Sequence, residues 1–555
     1  MKILGISSLD NDTCVSLIDG AAVRYAVMEE RLTHIKHQNG FPHKALKMLF
    51  DMTGIRAQDI DCVAYPFLDW RKQKELLIKS YLDDLKKNIT NPHNILPTLS
   101  HQASFLKWSY KAISDHRRFN IELEKNLTDL GLMPKLQRVE HQLSHAAAAF
   151  YTSGFERALI LTLDWYGDGL AGSVSLGSPA GIERCHSIDY PHSLGMFYAQ
   201  VTGALGFKMC HHEGKIVGLA AFGDPSVLYD TVKKKFEETE ETYRYINAMD
   251  FTFCQRLAHR YHREEVAAAY QKVLEDVVTK LVRHYLVKYQ QTAVVLAGGV
   301  AANVKLNQRV HEVDQVEKIF IHPAMGDDGS GTGAALYLLA KSGIRPEKIK
   351  NVFFGPEYSH QAIEAELKRF RVKYQYYEDI EDKVAEKLVQ NKVVARFNGR
   401  MEYGPRSLGN RSILYSASDP SVNDWLNKRL NRTEFMPFAP ATLFEYRDQC
   451  YIGVSGAENA AQYMTITFDC KPFMQEKSPA AVHVDGTARP QFVTPESNPG
   501  FYRIIKKYHE LTGIPSVINT SFNMHEAPIV CTPEDAITTY LDGKLDHLAI
   551  GNFLV

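Results

Sequence analysis

Thr292 to Asn307 reads TAVVLAGGVAANVKLN, and Lys318 to Gly343 reads KIFIHPAMGDDGSGTGAALYLLAKSG. Each is a short apolar run, then a glycine-rich loop, then a helix-forming tail. That order places backbone N–H groups and a helix N-terminus at the carboxyl end of a strand. The pair predicts an α/β domain with phosphate-binding loops. Upstream, MKILGISSL, TCVSLIDG and AVRYAVMEE read as three successive short strands, and RALILTLDWYGDG as a strand entering a Gly/Asp turn. Helical pattern dominates from Arg260 to Lys288, and no fixed-period repeat, coiled coil or low-complexity tract interrupts the alternation.

At 555 residues, with 45% hydrophobic and 23% charged content, the chain is too long for one ordinary core and too apolar for disorder, so two or three domains are expected. The formal net charge of −1 offers no global attraction to nucleic acid or anionic membrane. No apolar run reaches the length that spans a bilayer, and the opening MKILGIS lacks a signal peptide's regions, so cytoplasmic residence with neither membrane nor nucleic-acid partner is the expectation. The eight cysteines are sparse and contain no CxxC, which suits reduced thiols.

A boundary is expected near Asn351–Ser359 (NVFFGPEYS), where a small-residue helix gives way to a Gly-Pro turn. This divides the chain into residues 1–350 and an α/β or α+β unit, 351–555. The second unit holds VVARFNGRMEYGPRSLGNRSIL, with four arginines between Arg396 and Arg411. Turns between Arg400, Arg406 and Arg411 would let these guanidinium groups converge where a helix would fan them apart, and rigid bidentate donors suit phosphate. The plainer alternative is that some of them form surface or inter-domain salt bridges, Arg396 above all.

In the first unit, His141 and His145 of RVEHQLSHAAAAFY stand four apart on a helix and project from one face. Chance alone supplies about one such pair among 22 histidines, so the motif needs context. Asp327 and Asp328, in GDDGSGTG, supply it: two imidazoles and a carboxylate suit Fe(II), Mn or Zn with open positions. Asp164 and Asp168 of LDWYGDG and Asp12 of LDNDTC could add acidic groups, although aspartates in glycine turns often only satisfy backbone N–H groups. The glycines of AGGVAAN and GDDGSGTG would let backbone approach a phosphate or adenosine.

Taken in order, ILGISS…NDT, EERLTHIKHQNGFPHKAL, EHQLSHAAAAFY, LDWYGDG, EGKIVGLAAFG, LAGGVAANVKLN, HPAMGDDGSGTGAAL, GRMEYGPRSLGNRSI, RTEFMPFAP, HVDGTARPQ and NTSFN resemble the O-carbamoyltransferase family over essentially the whole chain. The resemblance implies a larger actin/sugar-kinase/Hsp70-like, threonylcarbamoyl-transferase-like domain followed by a YrdC-like α/β domain. It implies that ATP and carbamoyl phosphate form carbamoyl-adenylate in the C-terminal domain, with Mg a further possibility beside ATP. The carbamoyl group would then pass to a hydroxyl of a small-molecule alcohol in the N-terminal domain.

Carried over by position, His141, His145 and Asp327 match the metal ligands, thought to hold Fe(II). Asp12 and His37 match acceptor-side positions, and Arg406, Arg411, Arg432 and Arg489 the donor-side pocket. Asp164, Gly167, Asp168, Lys215, Gly298, Gly299, Asn303, Arg400, Asn519, Ser521 and Asn523 match nucleotide- or donor-binding positions. A homodimer is a weaker implication. Met436 replaces a common arginine, Glu526–Ala527 a common Gly-Glu, and Asn11 a common histidine, so no histidine role transfers there; the first two spellings resemble the antibiotic-tailoring, tobramycin-type branch. A tRNA-threonylcarbamoylating enzyme would share both folds but should carry basic RNA-tracking surface. A hydrogenase-maturation carbamoyltransferase would add zinc-finger cysteines. A non-catalytic ATP-binding Hsp70-like module would have no use for the arginine pocket.

Overall fold

The computed structural model describes residues 1–9, 12–90, 95–430 and 436–555. It divides into two compact units. The first holds Met1–Arg24, Asn39–His43 and Gly54–Lys348; the second holds Tyr25–Gln38, Lys44–Thr53 and Ile349–Val555.

In the first unit, strands β1 (Lys2–Ser7), β2 (Cys14–Asp19), the Ala22–Arg24 start of β3 (Ala22–Met28), β4 (Cys62–Tyr65) and β5 (Leu136–Arg138) form a sheet in the order β3-β2-β1-β4-β5. β1 runs antiparallel to β2 and parallel to β4, and β4 runs parallel to β5. β6 (Ala158–Gly167), β7 (Leu170–Ser178) and β8 (Gly181–Asp189) open a second sheet, a separate hairpin holds β9 (Phe236–Glu238) and β10 (Tyr243–Tyr245), and β11 (Ala293–Ala297) and β12 (Lys318–Ile321) complete the second sheet in the order β8-β7-β6-β11-β12. Its directions repeat the first: β6 antiparallel to β7, β7 antiparallel to β8, and β6, β11 and β12 mutually parallel along the row. The two sheets thus share one strand order, with an antiparallel edge on one side of the central strand and parallel strands on the other.

Two helices between the sheets set the site. His141–Ser153 is capped by the Glu140 carboxylate, which accepts from the N–H groups of Gln142 and Leu143, and it ends at Gly154 in the left-handed region. Its partner is Asp327–Lys341. The Gly-rich segment GDDGSGTG, expected as a phosphate-cradling loop, is instead the first turns of this helix. Its glycines serve packing: a Cβ on Gly333 would lie 1.9 Å from the Ser144 carbonyl oxygen, and one on Gly331 would lie 2.9 Å from the backbone of Ile6 and Ser7. The bare backbone lets the helix close on both β1 and the histidine helix.

In the second unit, β13 (Gln375–Tyr376), β14 (Val394–Phe397), β15 (Arg411–Ser416) and β16 (Ala439–Leu443) are followed by a small hairpin, β17 (Phe468–Asp469) with β18 (Thr487–Ala488), and then by β19 (Gln491–Val493), β20 (Ser516–Ser521), β21 (His547–Ile550) and β22 (Phe553–Leu554). Eight of them make one mixed sheet, β13-β22-β21-β14-β15-β20-β16-β19. Helices Ile380–Val389 and Pro499–Thr512 cover it: Val384, Leu388, Phe501, Ile504 and Ile505 bury against Val394, Leu414, Leu443 and Val517. Burial of this kind is the main stabilising term, about 1.5–3 kcal/mol for each large apolar side chain.

Candidate metal and nucleotide site

His141 and His145 are both fully buried, and their Nε2 atoms lie 3.1 Å apart. Asp164 Oδ2 stands 3.0 Å from His141 Nε2 and 3.5 Å from His145 Nε2, while Asp327 Oδ1 stands 3.5 and 3.3 Å from the same atoms. Four donors thus face one point, all within 4.8 Å of one another. Asp327, not Asp328, reaches the imidazoles, because it opens its helix where Ser7 Oγ donates to its carbonyl at 2.7 Å. Asp164 is brought in by β6, whose pairing with β7 slips between Leu163 and Gly167. Asp327 is the carboxylate that the resemblance matched, and Asp164, expected only as a possible acidic neighbour, joins it.

The His141 imidazole is aimed. His141 Nδ1 lies 3.3 Å from the Pro66 carbonyl, an acceptor, so the ring keeps its proton there and turns the Nε2 lone pair to the cluster. Phe67 stacks on the ring at 4.3 Å. Gly167 leaves the space the ring fills, since a Cβ there would sit 2.0 Å from it. Electrostatics agree with a cation-binding set: burial opposes charge on His145, but its bonds to Asp164 and Asp327 prevail and raise it to about 10. Burial likewise pushes the Asp164 carboxyl up, and the two histidines overcome this to hold it far below the carboxylate range. Two imidazoles and two carboxylates at this spacing fit a divalent ion of the Fe(II), Mn or Zn kind.

Asp168, matched above to a nucleotide-binding position, is buried and bonded to backbone. Its carboxylate accepts from the His141 N–H at 2.9 Å and from the Leu68 N–H at 3.3 Å, tying the metal helix to the Pro66–Leu68 segment. Burial first, and the Glu140 charge second, push it up to about 7. Gly298 meets the β6 backbone, where a Cβ would lie 2.2 Å from the Leu163 carbonyl oxygen, and the Gly299 N–H donates to Asp164 Oδ1 at 3.1 Å. Asn303 caps the helix Val304–His311 through the Leu306 N–H. Lys215 is buried in the helix Glu213–Ala220. Asp12 lies in the β1–β2 turn in a left-handed conformation. His37 falls in the second unit, its N–H bonded to Glu30 at 2.9 Å.

The arginine stretch departs from expectation. Arg411 is fully buried; its guanidinium donates to the carbonyls of Asn398, Asn410, Pro356 and Gly399 and lies 3.7 Å over the Phe397 ring. Arg400 donates to the carbonyls of Gly355 and Phe354, and Arg396 to Gly409 and Asn410, so Arg396 is no surface salt bridge. Three of the four arginines therefore hold loop backbone, because buried carbonyls without a strand partner need donors and a guanidinium offers five. Arg406 and Arg489 are half-buried.

Asn519 joins this region: its Nδ2 donates to Gln491 Oε1 at 2.7 Å and to the Ser407 carbonyl at 3.2 Å. Ser521 closes β20, and Asn523 just beyond donates to the Ala527 carbonyl. Arg432 and Asn11 lie outside the described residues. Sequence reading missed Glu402, whose Oε1 accepts from the N–H groups of Leu408, Asn410 and Arg411 at 2.7–3.0 Å. It also missed Gln491, which donates to the Leu408 carbonyl. Their only signal was a buried polar residue beside an arginine-rich turn.

Family comparisons extend over both units. The carbamoyltransferase N-terminus family model matches residues 2–336 and the carbamoyltransferase C-terminus model residues 385–555. Uncharacterized protein MJ1058 of Methanocaldococcus jannaschii is 33% identical over 100% of this chain and 99% of its own length. Nodulation protein NolNO of Sinorhizobium fredii is 31% identical over 98% of this chain and 79% of its own, and nodulation protein NolO of Bradyrhizobium diazoefficiens 34% over 75% and 78%.

Proposed function

We propose, from the premise that this chain belongs to the carbamoyltransferase family and is a transferase, that it is an ATP-dependent O-carbamoyltransferase. Carbamoyl phosphate and ATP react in the second unit to give carbamoyl-adenylate, phosphate and pyrophosphate. The first unit then passes the carbamoyl group to a hydroxyl of a small-molecule acceptor, a natural product of the antibiotic kind, and releases AMP. The observation that supports this reading best is the convergence of His141, His145, Asp164 and Asp327 on one point within the first unit.

A divalent ion held there would supply a Lewis acid for the adenylate's phosphate and the carbamoyl carbonyl. The chain's own residues do the rest. Asp12 takes the proton of the attacking alcohol, a weak nucleophile at neutral pH. The Gly299 N–H fixes Asp164, and Asp168 fixes the backbone of His141. In the second unit, Arg406 and Arg489 offer charge and hydrogen bonds to phosphate and carbamoyl oxygens, and Asn519, whose Nδ2 is engaged by Gln491 and Ser407, offers its Oδ1 to the carbamoyl N–H groups. Arg396, Arg400 and Arg411 hold the loop that carries Arg406 and the segment beside it.

The test is pyrophosphate release from ATP with and without carbamoyl phosphate, acceptor absent, for wild type and Arg489→Ala. Release that depends on carbamoyl phosphate and collapses in the variant supports the adenylating step. Silence in the wild type, with candidate alcohols present as well as absent, rejects it in favour of an ATP-binding module.

A further inference from the structure

Between β4 and β5 the first unit carries two long helices, Trp70–Thr90 and Ile95–Asp129, that pack on each other. The inner face of the second is spent on the core: His101 and Phe105 are fully buried, and Trp108 packs 4.7 Å from Tyr190. Its outer face is apolar and in the open. Leu96 is 79% exposed, Leu99 61%, Leu106 56%, Tyr110 80% and Ile121 53%. Leu96, Leu99, Leu106 and Tyr110 recur at spacings that stack on one side of a helix, with the exposed Ala103 closing the gap between Leu99 and Leu106. A stripe of this length is more than the scattered apolar residues of an ordinary surface.

The charge beside it decides what it meets. Lys107, Lys111, Arg118 and Lys125 follow along one flank of the stripe. The helix Trp70–Thr90 adds six exposed Lys or Arg side chains, of which Arg71 and Lys72 pair with Asp69 and Glu75, against Glu75 and Asp83 as its exposed acids. In a chain of net charge −1 this is a local basic concentration. A second copy would bring like charge against like charge, and a nucleic acid offers nothing to the leucines.

We infer that this helical pair is a peripheral docking face for a membrane surface that contains anionic lipid, a role beyond the carbamoyl transfer proposed above and contrary to the expectation of no membrane partner. The leucines and Tyr110 enter the headgroup–acyl boundary, and the lysines and arginines meet the phosphates, the division of labour of interfacial amphipathic helices. Among the described residues no helix is long and apolar enough to cross a membrane, so the contact lies on one leaflet.

The full-length protein is sedimented with vesicles of phosphatidylcholine alone or mixed with phosphatidylglycerol. Expected is pelleting with the mixed vesicles only, lost at high salt, with Leu99→Ser/Leu106→Ser and Lys107→Glu/Lys111→Glu each lowering partitioning roughly tenfold. Unchanged thermal midpoints and circular-dichroism spectra show that the variants are folded. The inference is overturned if wild type pellets with neither vesicle or if both variants pellet as wild type does. Loss of a dimer on sizing in the leucine variant, with wild type ignoring vesicles, assigns the face to a second copy. Equal affinity for heparin, indifferent to the leucine changes, assigns it to polyanions; either result also overturns it.

Discussion

His141 is held on four sides: Pro66 at Nδ1, Phe67 on its ring, Asp168 at its backbone N–H and the vacant Cβ space of Gly167 beneath it. Such rigid aiming is what a metal ligand requires and what a core histidine does not. His145→Ala is therefore expected to take bound iron or zinc, measured by elemental analysis after reconstitution, from about one ion per chain to a small fraction of that, because a three-donor remnant loses both affinity and geometry. Glu402 acts through the loop it folds. Glu402→Ala leaves three buried N–H groups without an acceptor and is expected to cost about 2–4 kcal/mol in denaturant unfolding, whereas Glu402→Gln, which keeps an amide oxygen, should cost less than half as much. Equal losses in the two variants would show that the N–H contacts matter little.

At the scale of elements, small residues control spacing. The Asp327–Lys341 helix approaches the histidine helix so closely that Gly333→Val must push Ser144 aside, shifting Asp327 relative to the histidines. A loss of about 2–4 kcal/mol in unfolding free energy is expected, accompanied by weaker metal retention. The helical pair Trp70–Asp129 has its own polar lock. Asp84 accepts from His101 Nε2 at 2.7 Å and from Asn88 and Gln102, while His101 Nδ1 accepts the Met249 N–H, which places the ring proton on Nε2. Burial would raise the Asp84 carboxyl, but the hydrogen bonds from His101 and Gln102 outweigh it and hold it below its ordinary value. A depressed carboxylate contributes stability above its unfolded pKa, about 4, and loses it as pH falls through the folded value below that. Acid unfolding followed by circular dichroism should thus be steeper below about pH 4 in wild type than in Asp84→Asn.

For the whole molecule, the division into two units predicts separable chemistry. Arg489→Ala should abolish carbamoyl-phosphate-dependent pyrophosphate release, while His141→Ala should retain it and lose carbamoyl transfer to an acceptor by at least about a thousandfold, a barrier increase of about 4 kcal/mol. Loss of pyrophosphate release in both variants would mean that one site performs both steps. Chromatographic detection of carbamoylated product beside the pyrophosphate assay separates these outcomes.

Alternating strand and glycine patterns made the α/β architecture legible, and so did the strands Lys2–Ser7, Cys14–Asp19 and Ala158–Gly167, because apolar periodicity and turn chemistry are local properties. The histidine pair was legible for the same reason: a spacing of four on a helix fixes two side chains on one face. Among the carboxylates, Asp327 came from the family resemblance and Asp164 only as a possible acidic neighbour; Asp164 arrives on a strand and Asp327 on a helix N-terminus, and folding sets those ends side by side. The duplicated sheet order left no repeat in the sequence, because hydrogen-bond topology constrains backbone direction and leaves side-chain identity free. The sequence by itself determined the fold class, the family and the positions of the titratable groups. Only the tertiary structure decided that the glycines of GDDGSGTG pack helices and that Arg396, Arg400 and Arg411 serve carbonyls. What a buried donor binds depends on which acceptors folding strands around it, and distant segments supply those.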